Sequence, residues 1–284
     1  MKFSEMLGLI GNELKSPRPI RYNAIRFFAH WALNASLIKY EKAIGLGVSA
    51  SWRFHYGYCI WHSALLAKKL GFNEMSVLEF GVAGGNGLVA IAEETKKIQK
   101  ELGIRIQIWG FDLKTGLPAP SDYKDLPYWF KQGLFTMNEE ALRKKVPQAN
   151  LVLGDVKDTC SDFGEKHHPP VIGCIFFDLD LYKSTKNSFE IFNNQQWCLP
   201  RVFCYFDDII GTENVLYNEY TGVLLSIKEY NEEQSTRKLA KNQHLIIKEP
   251  QVPWHWQIYI HHDFAHPLYN TNIERGERSD LTLE

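Results

Sequence analysis

The sequence predicts an α/β fold in which a mainly parallel sheet is flanked by helices on both faces. The first observation behind this prediction is a strand, a glycine-rich turn and a helix in direct succession over residues 77–102. The second is a pair of continuous apolar runs, at 171–177 and 202–206, each of which ends in aspartate. Strands of a parallel sheet are buried on both faces, so they read as unbroken apolar runs.

Composition agrees with a globular protein that has a core of full size. The chain has 284 residues, of which 45% are hydrophobic and 23% charged, and its net charge is −1. Binding to nucleic acid normally shows as a basic face or stripe, and none stands out. The five cysteines lack a C-x-x-C spacing, which is typical of a reducing compartment. No apolar run approaches the roughly 20 residues of a spanning helix, and the first residues do not read as a secretory leader. We therefore expect a soluble, cytoplasmic protein.

The residues before the first core strand predict helices. An aromatic-rich helical pattern covers 21–46, and a second helix is predicted at 58–70, with Gly71 just beyond its end. We expect residues 1–72 to form a helical extension packed on the core, where it would cover the site or form a homo-oligomer interface. At the other end, the polar residues 272–284 predict a flexible tail.

The glycine-rich turn predicts a nucleotide-like ligand, although a plain structural turn is the alternative. Glycine permits positive φ and close approach of the backbone to a ligand, while the following helix offers free N–H groups. The dinucleotide fingerprint is excluded because the third and sixth positions, counted from Gly81, are Ala83 and Asn86. A Walker loop is excluded because no Gly-Lys-Ser/Thr closes the turn. The remaining pattern consists of Glu79, Gly81, Ala83, Gly85 and, after the next predicted strand at 104–111, Asp112.

Periodicity and turn signals place the remaining elements. Residues 119–135, here called the aromatic loop, contain prolines and aromatic residues and predict either a substrate lid or an aromatic plug in a surface groove. Helices are predicted at 138–145, 182–193 and 213–232. Further strands are predicted at 149–153, 244–247 and 256–261, the last two as an antiparallel pair.

Acidic residues are concentrated at the predicted carboxyl ends of the strands, where open α/β sheets bind ligands. They are Glu79, Asp112, Asp155, Asp178, Asp180, Asp207 and Asp208. Asp178, Asp207 and Asp208 follow two strands predicted to be neighbours, and converging carboxylates repel one another unless protons or a cation neutralise them. Oxygen ligands of this kind suit a divalent cation such as Mg²⁺. The alternative is that Asp207 and Asp208 cap a turn or helix and that Asp178 faces solvent.

Four short motifs follow one another between residues 77 and 210. They are acidic-x-Gly-x-Ala-x-Gly from Glu79, Phe-Asp at 111–112 followed by Gly-Leu-Pro at 116–118, Asp-x-Asp-x-Tyr-x-Ser-Thr from Asp178, and Asp-Asp at 207–208. In this order they resemble the macrocin O-methyltransferase-type family of class I S-adenosylmethionine-dependent methyltransferases. The resemblance implies a Rossmann-like methyltransferase domain over residues 73–271, with a seven-stranded, mainly parallel sheet.

The resemblance also implies a reaction and assigns residues to it. The reaction is a Mg²⁺-dependent transfer of a methyl group from S-adenosylmethionine to a hydroxyl of a sugar or sugar-bearing metabolite. S-adenosylmethionine would be held by Glu79, Gly81, Ala83, Gly85, Asp112 and Asp155, with Asp112 on the ribose and Asp155 near the adenine. Asp178, Asp207 and Asp208 would bind the metal, and Asp180 would be the general base.

Alternatives remain open for the base and for the reaction. Rival bases are Lys183, His255, His261, His262 and His266. The acceptor would otherwise be a catechol-like or other small molecule. A non-catalytic module that only binds S-adenosylmethionine is the alternative from outside the enzymes, although such a module has no need of a carboxylate cluster.

Overall fold

The computed structural model describes residues 53–273, and the predicted helix at 21–46 and residues 274–284 of the predicted tail lie outside this range. Seven strands form one sheet within the described residues. They are β1 (Glu74–Phe80), β2 (Arg105–Asp112), β3 (Ala149–Leu153), β4 (Ile172–Phe177), β5 (Cys198–Phe206), β6 (Arg237–Lys241) and β7 (Ile258–Asp263).

The sheet is mainly parallel, as predicted. Its strand order is β3-β2-β1-β4-β5-β7-β6; the first five of these strands run parallel, and β7 pairs antiparallel with both β5 and β6. From β1 the chain first builds outward to β2 and β3, then returns to place β4 on the other side of β1. Such a reversal of strand order opens a crevice at the carboxyl ends of the two central strands, where α/β proteins bind ligands.

A row of phenylalanines closes the core directly below that crevice. Phe80 pairs in register with Phe111 and Phe177, and Phe177 pairs with Phe206. Their ring centroids lie 4.6 Å apart for Phe80 and Phe111, 5.4 Å for Phe80 and Phe177, and 4.7 Å for Phe177 and Phe206. All four side chains are buried. Burial of each contributes about 1.5–3 kcal/mol to folding, so the row forms a stable apolar floor.

The helices follow the strands along the chain. They are α1 (Phe54–Lys69), α2 (Asn86–Leu102), α3 (Glu139–Lys145), α4 (Val156–Thr159), α5 (Phe163–His167), α6 (Tyr182–Ser188), α7 (Gly222–Glu233) and α8 (Gln243–Lys248). Helix α1 packs against α2, β4 and β5 and buries an apolar face that includes Tyr56 and Ile60. It begins four residues before its predicted start, which brings its first turn to the carboxyl ends of the strands. Among residues 53–273, no helix combines the length and apolar character needed to cross a lipid bilayer.

The sequence-based prediction is wrong for one of the two C-terminal strands; the other, predicted at 256–261, is β7. Residues 244–247 belong to helix α8, and the strand that pairs with β7 on the side away from β5 is β6, Arg237–Lys241. Leu245 and Ile246 are buried while Ile247 is 77% exposed, which is the pattern of one helical turn. An apolar run this short fits either a strand or a buried helical turn, so periodicity could not decide between them.

Two other predicted boundaries also move. Helix α7 begins at Gly222 instead of 213, because residues 212–221 form a loop in which the Asn218 side chain accepts a bond from the N–H of Tyr220. The helix predicted over 182–193 is α-helical only to Ser188 and then tightens into a 3₁₀ turn, Phe189–Phe192.

Candidate active site

A cavity of about 520 Å³ opens at the carboxyl ends of the parallel strands. Ten residues that the sequence analysis singled out line it, namely Glu79, Gly81, Ala83, Gly85, Asp112, Asp155, Asp178, Asp180, Asp207 and Asp208. They come from the ends of five adjacent strands. The parallel register therefore brings one set of residues together from segments far apart in sequence.

The glycine-rich turn after β1 lies directly against the end of β4. Gly81 has φ +84°, and a Cβ there would stand only 1.7 Å from the carbonyl oxygen of Asp178. Gly85 has φ +80° and precedes α2, whose first N–H groups lack intrahelical partners. The turn thus needs glycine for two reasons, backbone conformation and close approach to the neighbouring strand.

Asp112 holds the turn in place. Its Oδ2 accepts hydrogen bonds of 2.9 Å from the N–H groups of Val82 and Ala83, and its Oδ1 accepts one from the N–H of Lys114. A carboxylate has about four acceptor positions, so Asp112 retains acceptor capacity toward the cavity that it lines.

Glu79 lies beneath the turn and is 1% exposed. Its Oε1 accepts a 3.0 Å hydrogen bond from the hydroxyl of Tyr56, and its Oε2 has no hydrogen-bond partner. Burial, reinforced by the charge of Asp178, raises the pKa of Glu79 to about 8, although the bond from Tyr56 and the charge of Arg53 oppose this shift. A Cβ on Gly87 would lie 1.6 Å from Oε1, so a larger residue there would displace this carboxyl group.

Arg53 and Tyr56 are site residues that the sequence analysis missed. Arg53 lines the cavity, and its Nη1 donates a 2.7 Å hydrogen bond to the hydroxyl of Tyr56, which donates in turn to Glu79. They stand three residues apart, one helical turn, but the predicted helix began after both. A predicted helix that began before residue 58 would have placed both residues at its first turn, and the sequence offers no other signal for their role.

Asp178, Asp207 and Asp208 form the acidic cluster, in which one carboxylate oxygen from each residue lies within 4.8 Å of the others. Burial and the charges of Asp208 and Asp207 raise the pKa of Asp178 well above its ordinary value. Burial also raises the pKa of Asp208, with the charges of Asp180 and Asp207 adding to it. The cluster therefore carries unfavourable negative charge that a divalent cation would relieve, and its all-oxygen donor set suits Mg²⁺.

Two tyrosines and one backbone amide orient the cluster. Tyr205 donates a 2.8 Å hydrogen bond to Oδ1 of Asp207, and the N–H of Asp180 donates one of 2.8 Å to Oδ2 of Asp208. Tyr217 donates a longer bond, 3.4 Å, to Oδ1 of Asp208. These bonds fix the directions in which the carboxylates face the cavity.

Asp180 adopts a left-handed backbone conformation, with φ +60°. For a residue other than glycine this costs about 1–3 kcal/mol, and such strain is concentrated at functional sites. The bond from its N–H to Asp208 helps to hold it there. Burial, followed by the charge of Asp178, raises the pKa of Asp180 to about 7, while a side-chain hydrogen bond with Asp208 acts in the opposite direction.

Among the described residues that line the cavity, none is a rival base: neither Lys183 nor any histidine is there. His261 is buried in the core, where Nε2 lies 2.8 Å from the hydroxyl of Tyr230 and the ring stacks on Phe192. His255 is buried as well, with Nδ1 near the carbonyl oxygens of Leu245 and Glu249.

The aromatic loop forms one wall of the cavity. Trp129, Phe130 and Phe135 line it; Phe130 is buried, whereas Trp129 is 42% and Phe135 55% exposed. The buried Phe130 packs in a small apolar core with Leu126 and Leu181, against which Leu117 and Tyr217 also pack. The loop therefore combines a plug, Phe130, with two exposed aromatic side chains at the cavity.

Asp125 anchors this loop to the segment that carries Asp180. Its Oδ2 accepts hydrogen bonds of 2.9 and 2.8 Å from the N–H and hydroxyl of Ser121, and its Oδ1 accepts one of 3.0 Å from the N–H of Lys183. A second link runs from the hydroxyl of Tyr128 to the carbonyl oxygen of Val215, at 2.6 Å. The loop is thus fixed at both α6 and the segment after β5.

Comparison with known proteins shows similarity to solved structures of methyltransferases. Neither a protein-family model nor the sequence of a curated protein matches the chain at a significant level. The calicheamicin methyltransferase CalS11 is 19% identical, over 76% of this chain and 86% of that one, with a TM-score of 0.48. The O-methyltransferase NovP is 15% identical, over 69% and 76%, with a TM-score of 0.49. An O-methyltransferase from Bacillus cereus in complex with SAH is 12% identical, over 72% and 81%, with a TM-score of 0.37. With identities this low, the likeness concerns the fold alone.

The substitution Gly81→Ala should destabilise the protein more than Gly71→Ala. Both glycines have positive φ, +84° and +92°, but a Cβ at Gly71 meets nothing within 4 Å. Gly71→Ala should therefore lose only the conformational term, about 1–2 kcal/mol. Gly81→Ala should lose about 1–3 kcal/mol more, because the methyl group meets the backbone of β4. Thermal and urea unfolding measure both, and equal losses would contradict the close approach of turn and strand.

The substitution Asp125→Asn should loosen the aromatic loop. The amide keeps the shape of the carboxylate but turns an NH₂ group toward an N–H donor, a loss of about 1–3 kcal/mol for a buried bond. Limited proteolysis with trypsin should then cleave about tenfold faster after Lys124 and Lys131, which lie in the loop. Asp122→Asn is the matched control, since Asp122 is exposed and accepts only a local bond from the N–H of Lys124. Unchanged cleavage in Asp125→Asn would remove Asp125 as the anchor.

Proposed function

We propose that this chain is an S-adenosylmethionine-dependent O-methyltransferase that uses a divalent cation, Mg²⁺, and methylates a hydroxyl of a sugar or sugar-bearing metabolite. One observation carries the proposal. The glycine-rich turn with Asp112 and the acidic cluster with Asp180 lie on the same cavity, at the switch point of the sheet. A donor site and an acceptor site must be adjacent for a group transfer, and this adjacency supports the proposal.

The residues around the turn fit S-adenosylmethionine. The backbone of Gly81, Ala83 and Gly85 would approach the donor, the remaining acceptor position of Asp112 would take a ribose hydroxyl, and Asp155 would lie near the adenine. The cavity volume, about 520 Å³, is in the usual range for sites of small ligands, about 300–1,000 Å³. When bound, this donor supplies an electrophilic methyl group on a sulfonium.

The acidic cluster fits a metal ion. Asp178, Asp207 and Asp208 would hold Mg²⁺, whose positive charge lowers the pKa of a nearby hydroxyl and orients it. The hydrogen bonds from Tyr205 and from the N–H of Asp180 set the carboxylates in position for this task.

Asp180 would accept the proton of the acceptor hydroxyl. It lines the same cavity, and its backbone is bonded to Asp208, so its carboxyl group stands beside the cluster that would orient the hydroxyl. A sugar hydroxyl is a poor nucleophile at neutral pH, and a positioned base removes its proton as the bond to carbon forms. Lys183 and the four histidines proposed as rivals lie outside the cavity lining.

The aromatic loop would contact the acceptor. Trp129 and Phe135 line the same cavity as the carboxylates, and the faces of sugar rings and of flat aromatic molecules can both pack on aromatic rings. This wall is the observation that favours a second candidate acceptor, a catechol-like molecule methylated by the same residues. A module that only binds the donor is disfavoured, because burying several carboxyl groups costs free energy that binding alone does not require.

Calorimetric titration of S-adenosylhomocysteine into the protein, with and without Mg²⁺, tests the donor site. We expect a dissociation constant near micromolar, about −8 kcal/mol. Mg²⁺ should bind to the wild-type protein and about tenfold or more weakly to Asp207→Asn, which removes one charged ligand. If S-adenosylhomocysteine does not bind either with or without Mg²⁺, the donor site is refuted. Equal affinity of wild-type protein and Asp207→Asn for Mg²⁺ would refute the metal site.

The substitution Asp180→Asn should reduce turnover by about 10²–10⁴-fold, because the amide cannot accept the proton. Affinity for S-adenosylmethionine should stay within about twofold, since Asp180 does not hold the donor in our assignment. Turnover is followed as release of S-adenosylhomocysteine with a panel of nucleotide sugars, glycosides and catechols. Lys183→Met is the control and should retain turnover. Equal losses of affinity and rate in Asp180→Asn would move Asp180 into the donor site.

A further inference from the structure

Arg53 is opposite in charge to the acidic side chains that line the cavity with it. Among the described residues that line it, Arg53 is the one basic side chain, and it faces seven acidic ones. The acidic side chains are Glu79, Asp112, Asp155, Asp178, Asp180, Asp207 and Asp208. The methyl donor and its product both carry a carboxylate, which this excess of negative charge would repel at most positions in the cavity.

The guanidinium of Arg53 has N–H donors that form no hydrogen bond with a side chain among residues 53–273 other than Tyr56. Its Nη1 donates to the hydroxyl of Tyr56 at 2.7 Å, and its central carbon lies 5.1 Å from the centroid of the Tyr56 ring. No ion pair within 4 Å joins Arg53 to a carboxylate among residues 53–273. A guanidinium has five N–H donors in a fork that matches a carboxylate, and within residues 53–273 Arg53 uses one of its two terminal nitrogens, Nη1, to bind Tyr56.

The acidic neighbours of Arg53 stand at the ends of β1, β4 and β5. Through Tyr56, Arg53 is linked to Glu79 at the end of β1, and its charge interacts with Asp178 after β4 and Asp207 after β5. The proposed nucleoside partners, Asp112 and Asp155, follow β2 and β3 on the other side of β1. A donor whose ribose and adenine lie at β2 and β3 must therefore extend its amino-acid end across β1, toward Arg53.

The chemistry of that amino-acid end matches this region. It carries an ammonium group, which suits the carboxyl groups of Glu79 and Asp178, and an α-carboxylate, which needs a cation. We infer that Arg53 binds the α-carboxylate of S-adenosylmethionine and of S-adenosylhomocysteine; this inference rests on the proposed function. Tyr56 has a supporting role, since it holds the guanidinium while donating to Glu79.

Two ligands and one substitution isolate this contact. S-adenosylhomocysteine and its decarboxylated analogue differ only in the α-carboxylate, and calorimetry measures both against wild-type protein and Arg53→Met. The substitution should weaken S-adenosylhomocysteine about 10–100-fold, the range for a charged hydrogen-bonded pair, and leave the analogue within about twofold. Arg53→Lys should recover part of the loss. Arg105→Met is the matched control, because Arg105 is exposed and pairs with Glu74 away from the cavity.

Each other outcome contradicts the inference in a distinguishable way. Equal weakening of both ligands by Arg53→Met would mean that Arg53 acts by offsetting the charge of the neighbouring carboxyl groups. Unchanged affinity for S-adenosylhomocysteine would mean that Arg53 serves another group, such as an anionic acceptor. Failure of wild-type protein to bind S-adenosylhomocysteine would refute the proposed function itself. Arg53→Gln, which keeps a hydrogen-bonding side chain, carries the same comparison if Arg53→Met does not fold.

Discussion

The register of the four central parallel strands is the constraint on which the site depends. It aligns Phe80, Phe111, Phe177 and Phe206 in one row, so the residues that follow them emerge at one edge of the sheet and at one level. Three of these phenylalanines are followed directly by aspartate. The apolar row thus acts as a floor that excludes water from below, and this lowers the effective dielectric around the carboxyl groups above it. Their mutual repulsion follows from the same packing that stabilises the sheet.

This repulsion determines what the cavity can accept. Carboxyl groups that are buried together cost free energy, and the cost is lowered by protons or by bound positive charge. The three positive groups of the proposed reaction, a divalent cation, a sulfonium and an ammonium, all suit such a cavity. Arg53 differs from these carboxyl groups, because it is the one basic side chain among the described residues that line the cavity, and in our inference it binds the carboxylate of the donor. The electrostatic pattern is therefore favourable to a zwitterionic donor and unfavourable to a simple anion.

The sequence was sufficient to predict the strands that consist of long apolar runs. The strands that end at Phe177 and Phe206 were predictable because a buried parallel strand has no polar alternation, and the aspartates after them mark the edge of the sheet. The C-terminal strand β6, Arg237–Lys241, was not predictable, because its residues are largely polar and its pairing with β7 depends on tertiary contacts. The sequence did not predict Arg53 as a site residue for a related reason. Its position in the site results from the packing of α1 on the sheet, which no local sequence pattern encodes.

Hydrogen bonds and apolar packing connect the aromatic wall of the cavity to the acidic cluster, and under the proposed function this limits which residues can determine acceptor specificity. Tyr217 contacts Asp208 through its hydroxyl and packs against the apolar core that contains Phe130, while Tyr128 bonds to the loop after β5. A substitution of Tyr217, Phe130 or Tyr128 would therefore disturb the carboxylates along with the wall. Trp129 and Phe135 line the same cavity but remain partly exposed, and neither side chain forms a hydrogen bond within residues 53–273. Under the proposed function, they are consequently the positions at which a substitution would change the preference for the acceptor without changing the geometry of the carboxyl groups.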